Sequence, residues 1–311
     1  MDLLRKNGLL EYGRKASFVY LALRLTVVGV GFMRKSFISG RGSVLKPMCL
    51  SLSLTNIYMF IYLENAISRK NIEQCKAYWA IALMATLEAS VVIETLFKFH
   101  LKEMDVMVLS FMYLGLCFCE VVRVHFICKE YGDMFEWFYF KYTGACTKTK
   151  IAYKTRARYE ATKFLMILMA IQGVYLQIEG LKCCPVGSMR MMYIVLDHSF
   201  EIAMLFLMFV RQNEEDEEQR MLLIMIVALN ISYCVFQVTL YKYSDEPCWS
   251  LRRFFIIRNI FEGTINTCFL YYCILDYRYF GSGLKEVFFP TGKNREVLRM
   301  EEENVNLSIQ E

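Results

Sequence analysis

Proline is scarce in this chain, with four residues in 311, and no tract rich in Ser, Gly or Pro interrupts it. Flexible linkers and disordered arms depend on such compositions, so their absence argues against a string of separate domains. We therefore predict one structural domain over residues 1–289, followed by a polar tail over residues 290–311.

The sequence also lacks the motifs that hold cofactors or activate nucleophiles. Its three histidines, His100, His125 and His198, form no metal-ligand pair at helical spacing. No GxGxxG, Walker-type loop or GxSxG elbow is present. An enzyme is therefore not favoured, and we predict neither a metal nor another cofactor.

Apolar residues, in contrast, are abundant: 56% of the chain is hydrophobic, 15% is aromatic and only 22% is charged. A soluble domain of this size is normally less apolar. A helix needs roughly 20 apolar residues to cross the hydrocarbon core of a bilayer. Runs near that length, bounded by charges, predict an all-α, multi-pass transmembrane bundle of about eight helices, with seven to nine as the range. The eight runs are approximately Ser17 to Met33, Pro47 to Leu63, Ala77 to Phe97, Val106 to Ile127, Phe164 to Leu181, Met191 to Val210, Met221 to Tyr241 and Phe254 to Leu275.

The distribution of Lys and Arg predicts the orientation in the membrane, because basic residues in short loops stay on the cytoplasmic side. With the N-terminus inside, the predicted inner segments hold about twice as many basic residues as the outer ones. We therefore predict that both termini are cytoplasmic. The sequence does not indicate which cellular membrane holds the protein or its oligomeric state.

An aromatic segment follows the fourth apolar run, over Tyr131 to Tyr142. Aromatic rings favour the headgroup level of a bilayer, so one interpretation is a separate interfacial helix. The other is a cytoplasmic extension of the fourth membrane helix.

A basic segment comes next, and its side chains are predicted to lie near lipid headgroups. The net charge of +5 is modest and the basic residues fall between apolar runs, so nucleic acid is not an expected partner. We predict that six residues contact acidic lipids or act only as a topology signal: Lys148, Lys150, Lys154, Arg156, Arg158 and Lys163.

Ionisable residues inside the apolar runs are the most informative feature, because each costs on the order of 3 kcal/mol at a helix centre and such residues usually face the bundle interior. Acidic residues outnumber basic ones there, which suits a cationic or zwitterionic solute, or protons. Asp197 and Glu201 are four residues apart with His198 beside them, which places like charges on one helix stripe. The transport or binding candidates are Asp197, His198, Glu201, Glu262, Glu88, Asn230, Gln237 and Asn266.

Two opposite-charge pairs have the spacing of neighbours on one helix face. Glu120 and Arg123 are three residues apart, and Arg258 and Glu262 are four apart. We predict that both form intramembrane ion pairs. For any single residue in this set, the alternative is a polar contact that holds helices together.

Several residues of the C-terminal half resemble the XK-type lipid scramblases: Glu179 and Gly180 at a helix end, Glu201 in the next helix, and Leu240, Tyr241 and Pro247 closing another. The resemblance implies that buried acids and an arginine give headgroups a polar track through the bilayer. Three functions are therefore open: transport of a small cation or zwitterion along an acid-lined track, lipid scrambling, or a receptor-like or interaction protein that acts through its cytoplasmic loops.

Overall fold

The computed structural model describes residues 15–29, 42–100, 104–143, 147–183, 188–209, 216–243 and 249–280. These residues form eight helices, and no strand occurs among them. Each helix overlaps one of the eight predicted apolar runs. The predicted polar tail lies outside the described residues. The helices are α1 over 15–29, α2 Gly42–Ser68, α3 Ile72–His100, α4 Met104–Thr143, α5 Thr147–Cys183, α6 Ser188–Phe209, α7 Glu217–Tyr243 and α8 Trp249–Arg278.

Three of these helices contain a segment that is long and apolar enough to cross a membrane. The segments are Ile72–Lys98 in α3, Met107–Lys129 in α4 and Glu217–Thr239 in α7. Helix α6 has a shorter apolar segment, His198–Phe209. The chain therefore has the character of a membrane protein.

Helix α4 decides between the two interpretations of the aromatic segment. It runs without a break from Met104 to Thr143, over 40 residues. At 1.5 Å per residue such a helix is roughly 60 Å long, well beyond the hydrocarbon core of a bilayer. The aromatic segment is thus an extension of the fourth helix, and the separate interfacial helix is not formed.

Many large apolar side chains lie on the surface of the bundle, and several charged side chains lie in its interior. Large apolar side chains point outward along the described helices, each at least 56% exposed: Leu83 on α3, Phe111 and Phe118 on α4, and Met225 and Val235 on α7. Carboxylates and guanidinium groups meanwhile lie inside the bundle. Lipid around the helices explains both observations, because water would favour the opposite arrangement.

Local signals define how the helices begin and end. Lys70, with a φ of 52°, occupies the left-handed conformation after α2, and the amide of Asn71 donates to the carbonyl of Ala66 at 2.9 Å. The Asn71 side chain then accepts from the amide of Gln74 and caps α3. Asp216 caps α7 in the same way, accepting from the amide of Glu218 at 3.1 Å. The turn between α2 and α3 is therefore tight, and these helices are antiparallel neighbours.

Ion pairs between helix ends follow the alternating direction of the chain. Asp276, at the end of α8, lies 3.1 Å from Arg220 at the start of α7. At the opposite end, Arg253 near the start of α8 lies 2.8 Å from Glu94 near the end of α3. Helices α3 and α7 therefore both run antiparallel to α8. An up-and-down bundle of this kind places α5, which contacts α2, α3, α4, α6 and α8, at the centre.

Candidate functional site

Arg258 on α8 is the centre of the polar interior. Its Nη2 atom lies 2.9 Å from Glu262 on the same helix, 3.3 Å from Glu201 on α6 and 3.0 Å from the carbonyl oxygen of Met169 on α5. The three charged side chains are between 1% and 3% exposed. One guanidinium group is therefore shared by two buried carboxylates and joins three helices.

Gly173 on α5 makes this arrangement sterically feasible. A Cβ atom at position 173 would overlap Nη2 of Arg258 and would lie 2.8 Å from Oε1 of Glu201. The absence of a side chain on α5 thus creates the space in which the ion pair between α6 and α8 forms.

His198 lies at the edge of this cluster. Its Nδ1 atom is 2.9 Å from Oε2 of Glu201, and its side chain is 19% exposed. Glu201 is therefore held between an imidazole and a guanidinium group. The side chain of Asp197 lies outside what the structure describes, so the predicted repulsion between Asp197 and Glu201 stays a prediction.

Glu88 on α3 belongs to a second group of polar side chains, which has neutral partners. It accepts a hydrogen bond from Thr55 on α2 at 2.8 Å and one from Nε2 of Gln172 on α5 at 3.1 Å. Gln172 also contacts Ser51 of α2 at 3.1 Å. Since Gln172 precedes Gly173, the two groups meet on one turn of α5.

A small cavity lies beside the two carboxylates of the Arg258 cluster. Its lining includes Glu201, Glu262 and Asn266, and also four methionines, Met166, Met169, Met204 and Met208. The cavity measures about 10 Å³, near the smallest size that holds one water molecule. A space lined by both carboxylates and thioethers is therefore present in this conformation.

The remaining amide candidates lie between α7 and α8 and chiefly connect these helices. Asn259 donates to Gln237 at 2.9 Å. Asn266 contacts the sulfur atom of Cys234 at 3.9 Å. Asn230 contacts the sulfur atom of Met204 at 3.6 Å. Only Asn266 among them also lines the cavity, so the others have the geometry of contacts between helices.

Another ionic cluster joins α1, α3 and α4. Arg123 and Glu120 lie 2.7 Å apart on one face of α4, and Arg24 of α1 lies 4.0 Å from the same carboxylate. Tyr78 of α3 donates to Glu120 at 2.9 Å. Two guanidinium groups and one hydroxyl surround this carboxylate, an arrangement that stabilises the packing of the three helices.

The six basic residues at the start of α5 are of two kinds. Lys148 and Lys150 are exposed. The other four contact carboxylates of the protein: Lys154 and Arg158 with Glu73, Arg156 with Asp276, and Lys163 with Glu160. The hydrogen bond to Glu73 raises the pKa of Arg158 above its ordinary value. Much of this segment is thus engaged in joining α5 to α3 and α8.

Three residues that hold the site together were missed by sequence reasoning, namely Thr55, Gln172 and Gly173. Each lies in a predicted membrane run, where a hydroxyl, an amide or a glycine attracts less notice than a charge. The adjacent Gln-Gly in the fifth run was the available signal, because a large polar residue beside a residue without a side chain suggests a close polar contact between helices.

The chain matches no protein-family model, and no curated protein or solved structure matches it. Function is therefore argued from the geometry of the cluster.

Proposed function

We propose that this protein is a multi-pass membrane protein of about eight crossings that moves a small cation, a zwitterion or protons through the polar interior of its bundle. The observation that carries the proposal is the imbalance of charge around Arg258. Glu88, Glu201 and Glu262 are three buried carboxylates, and Arg258 is the cation in contact with two of them. With His198 neutral, Glu201 and Glu262 exceed the charge of Arg258 by one and give these three side chains a formal charge of −1, and ionisation of Glu88 would make the charge of the interior −2.

An interior with this charge attracts cations and repels anions. The cavity beside Glu201 and Glu262 has room for a species of about the size of one water molecule, such as a small monovalent cation or a hydronium ion, and a larger solute requires the helices to move apart. A lone structural ion pair would need neither the additional carboxylate nor the cavity, since a single acid would neutralise Arg258. Transport therefore accounts for more of the arrangement than helix packing does.

Burial of the acids also separates transport from lipid scrambling. A scramblase needs a polar groove that opens to lipid along the outside of the bundle, whereas Glu88, Glu201 and Glu262 are at most 3% exposed. Acids that lie inside the bundle suit a solute that is surrounded by protein during passage. Transport is for this reason our preferred function.

The experiment is a flux assay with the full chain in proteoliposomes. Sodium, potassium, choline and cationic amino acids are supplied on one side, and a trapped pH-sensitive dye reports protons. Glu201→Gln and Glu262→Gln, tested singly so that Arg258 keeps one partner, should each lower the flux at least about tenfold, the scale of one lost charge interaction. Glu94→Gln is the matched control, because Glu94 is 42% exposed and lies outside the cluster.

Two results would contradict the proposal. One is that none of these solutes moves in response to a gradient. The other is that a solute moves and that both single variants transport it as fast as the unmodified chain. Unfolding temperatures of all variants, measured in parallel, separate loss of transport from loss of folded protein.

A further inference from the structure

One buried carboxylate differs from all others in the described part of the chain. Each of the other five has an Arg nitrogen between 2.6 and 3.3 Å away, whereas Glu88 makes no ion pair with any described residue. Glu88 is 1% exposed. An ionised carboxylate without a cation partner is costly in such a place, and a protonated one is far less so. The five paired acids are Glu73, Glu120, Glu201, Glu262 and Asp276.

The polar groups around Glu88 include more hydrogen-bond acceptors than Thr55 and Gln172 have hydrogens to donate. The hydroxyl group of Thr55 can donate one hydrogen bond. Two acceptors lie within range of it, namely the carbonyl oxygen of Ser51 and the carboxylate of Glu88. Gln172 has two N–H groups, and four oxygen atoms lie within reach of its Nε2. The buried Oε1 of Gln172, meanwhile, has no partner among the described residues. A proton on Glu88 would remove the charge and add the missing donor.

Among the described groups that face Glu88 from the neighbouring helices, the charged one is Arg258 on α8. Helix α2 presents the hydroxyl of Thr55, and α5 presents the amide of Gln172. From α4, Tyr113 contacts Asn56 of α2 at 2.8 Å. Arg258 of α8 acts on Glu88 electrostatically without contacting it. Anything that changes the net charge around Arg258 therefore changes the affinity of Glu88 for a proton.

We propose that Glu88 is a proton-binding site and that a cation bound beside Glu201 and Glu262 expels its proton. The sign follows from Coulomb's law, because a new positive charge near Arg258 stabilises the ionised form of Glu88. The carboxyl group releases H⁺ and becomes a carboxylate, with no electron transferred. Exchange of a cation for a proton results. The exchange rests on the proposed function, whereas the proton site does not.

Infrared spectroscopy of the full chain in lipid nanodiscs tests the proton site. The C=O stretch of a protonated, buried carboxyl group should be present near neutral pH and should vanish in Glu88→Gln. It should persist in Glu94→Gln, whose carboxylate is paired with Arg253 and is partly exposed. Glu88→Asp, which keeps the carboxyl group, should shift the band. A spectrum that neither Glu88 variant changes would overturn the site.

Glu201→Gln tests the exchange without any knowledge of the solute, because removal of one negative charge imitates the arrival of a positive one. The proton affinity of Glu88, followed through its infrared band against pH, should fall about tenfold. Glu262→Gln should change it in the same direction. An unchanged or increased affinity in both variants would overturn the exchange. Absence of cation flux from proteoliposomes would instead contradict the proposed function, and the infrared band would still report on Glu88.

Discussion

Gly173 shows how one residue controls the geometry of the interior. Its backbone faces the contact between Arg258 and Glu201, where a Cβ atom would lie 2.8 Å from the carboxylate. A methyl group there must displace one of two buried charges, and overpacking of this kind costs about 1–3 kcal/mol. The ion pair is thus sensitive to a change that adds no polarity.

We expect Gly173→Ala to lower the unfolding temperature and to reduce flux. The matched control is Gly263→Ala on α8, where the nearest atom to a new Cβ is 3.6 Å away. Because alanine favours helix over glycine by about 1 kcal/mol, the control should be neutral or stabilising. The two substitutions are chemically identical, so equal effects at both positions would refute the steric role of Gly173. Thermal unfolding in detergent measures the stability of both variants, and the proteoliposome assay measures their flux.

At the scale of a single element, α5 divides into a basic start and an apolar remainder. Arg156 and Arg158 in the basic part bind Asp276 and Glu73 at 2.6 and 2.8 Å. These contacts join the helix to α8 and α3. Lys148 and Lys150, one and a half turns or more before them, are exposed. The two kinds of basic residue should therefore respond differently to substitution.

We predict that Lys148→Gln combined with Lys150→Gln weakens the retention of phosphatidylserine by the full chain at least about tenfold, at roughly 1 kcal/mol for each lysine near an anionic surface. Native mass spectrometry of the purified protein measures the retained lipid. Arg158→Gln is the control on the same helix and should mainly lower the unfolding temperature. If the control weakens lipid retention as strongly as the lysine pair does, these two lysines are not the lipid contact.

The described helices form an up-and-down bundle, and ion pairs join the helix ends that this topology brings together. Asp276, Arg220 and Arg156 meet at one end of the helices, and Glu94 and Arg253 meet at the other. The eight crossings that we propose would keep both chain ends on one side. The excess of Lys and Arg in the alternate loops predicts that this side is the cytoplasm.

Reporter fusions at each terminus test this topology. Green fluorescent protein should fluoresce at both ends, whereas alkaline phosphatase should be inactive at both. A glycosylation acceptor inserted between residues 35 and 41 should be modified in microsomes, and one inserted between 211 and 215 should not. An external N-terminus would contradict the proposed crossings and would favour a seven-helix, receptor-like protein.

The sequence alone determined the positions of the helices, because long apolar runs bounded by charges have few other stable forms in lipid. The six-residue spacing of Glu88 and Glu94 corresponds to about 240° around a helix axis, and the structure buries Glu88 and leaves the Glu94 side chain 42% exposed. Spacing likewise placed Arg258 near Glu262, one turn away on the same helix.

Only the tertiary structure decided which helices face each other, since periodicity gives a direction around one helix axis and says nothing about its neighbour. The pairing of Glu201 with Arg258 spans 57 positions, and that of Glu88 with Gln172 spans 84. The steric role of Gly173 depends on the contact between Glu201 and Arg258, which the sequence does not show. The same limit applied to the aromatic segment after the fourth run, where local sequence allowed two forms and the continuous helix α4 was the outcome.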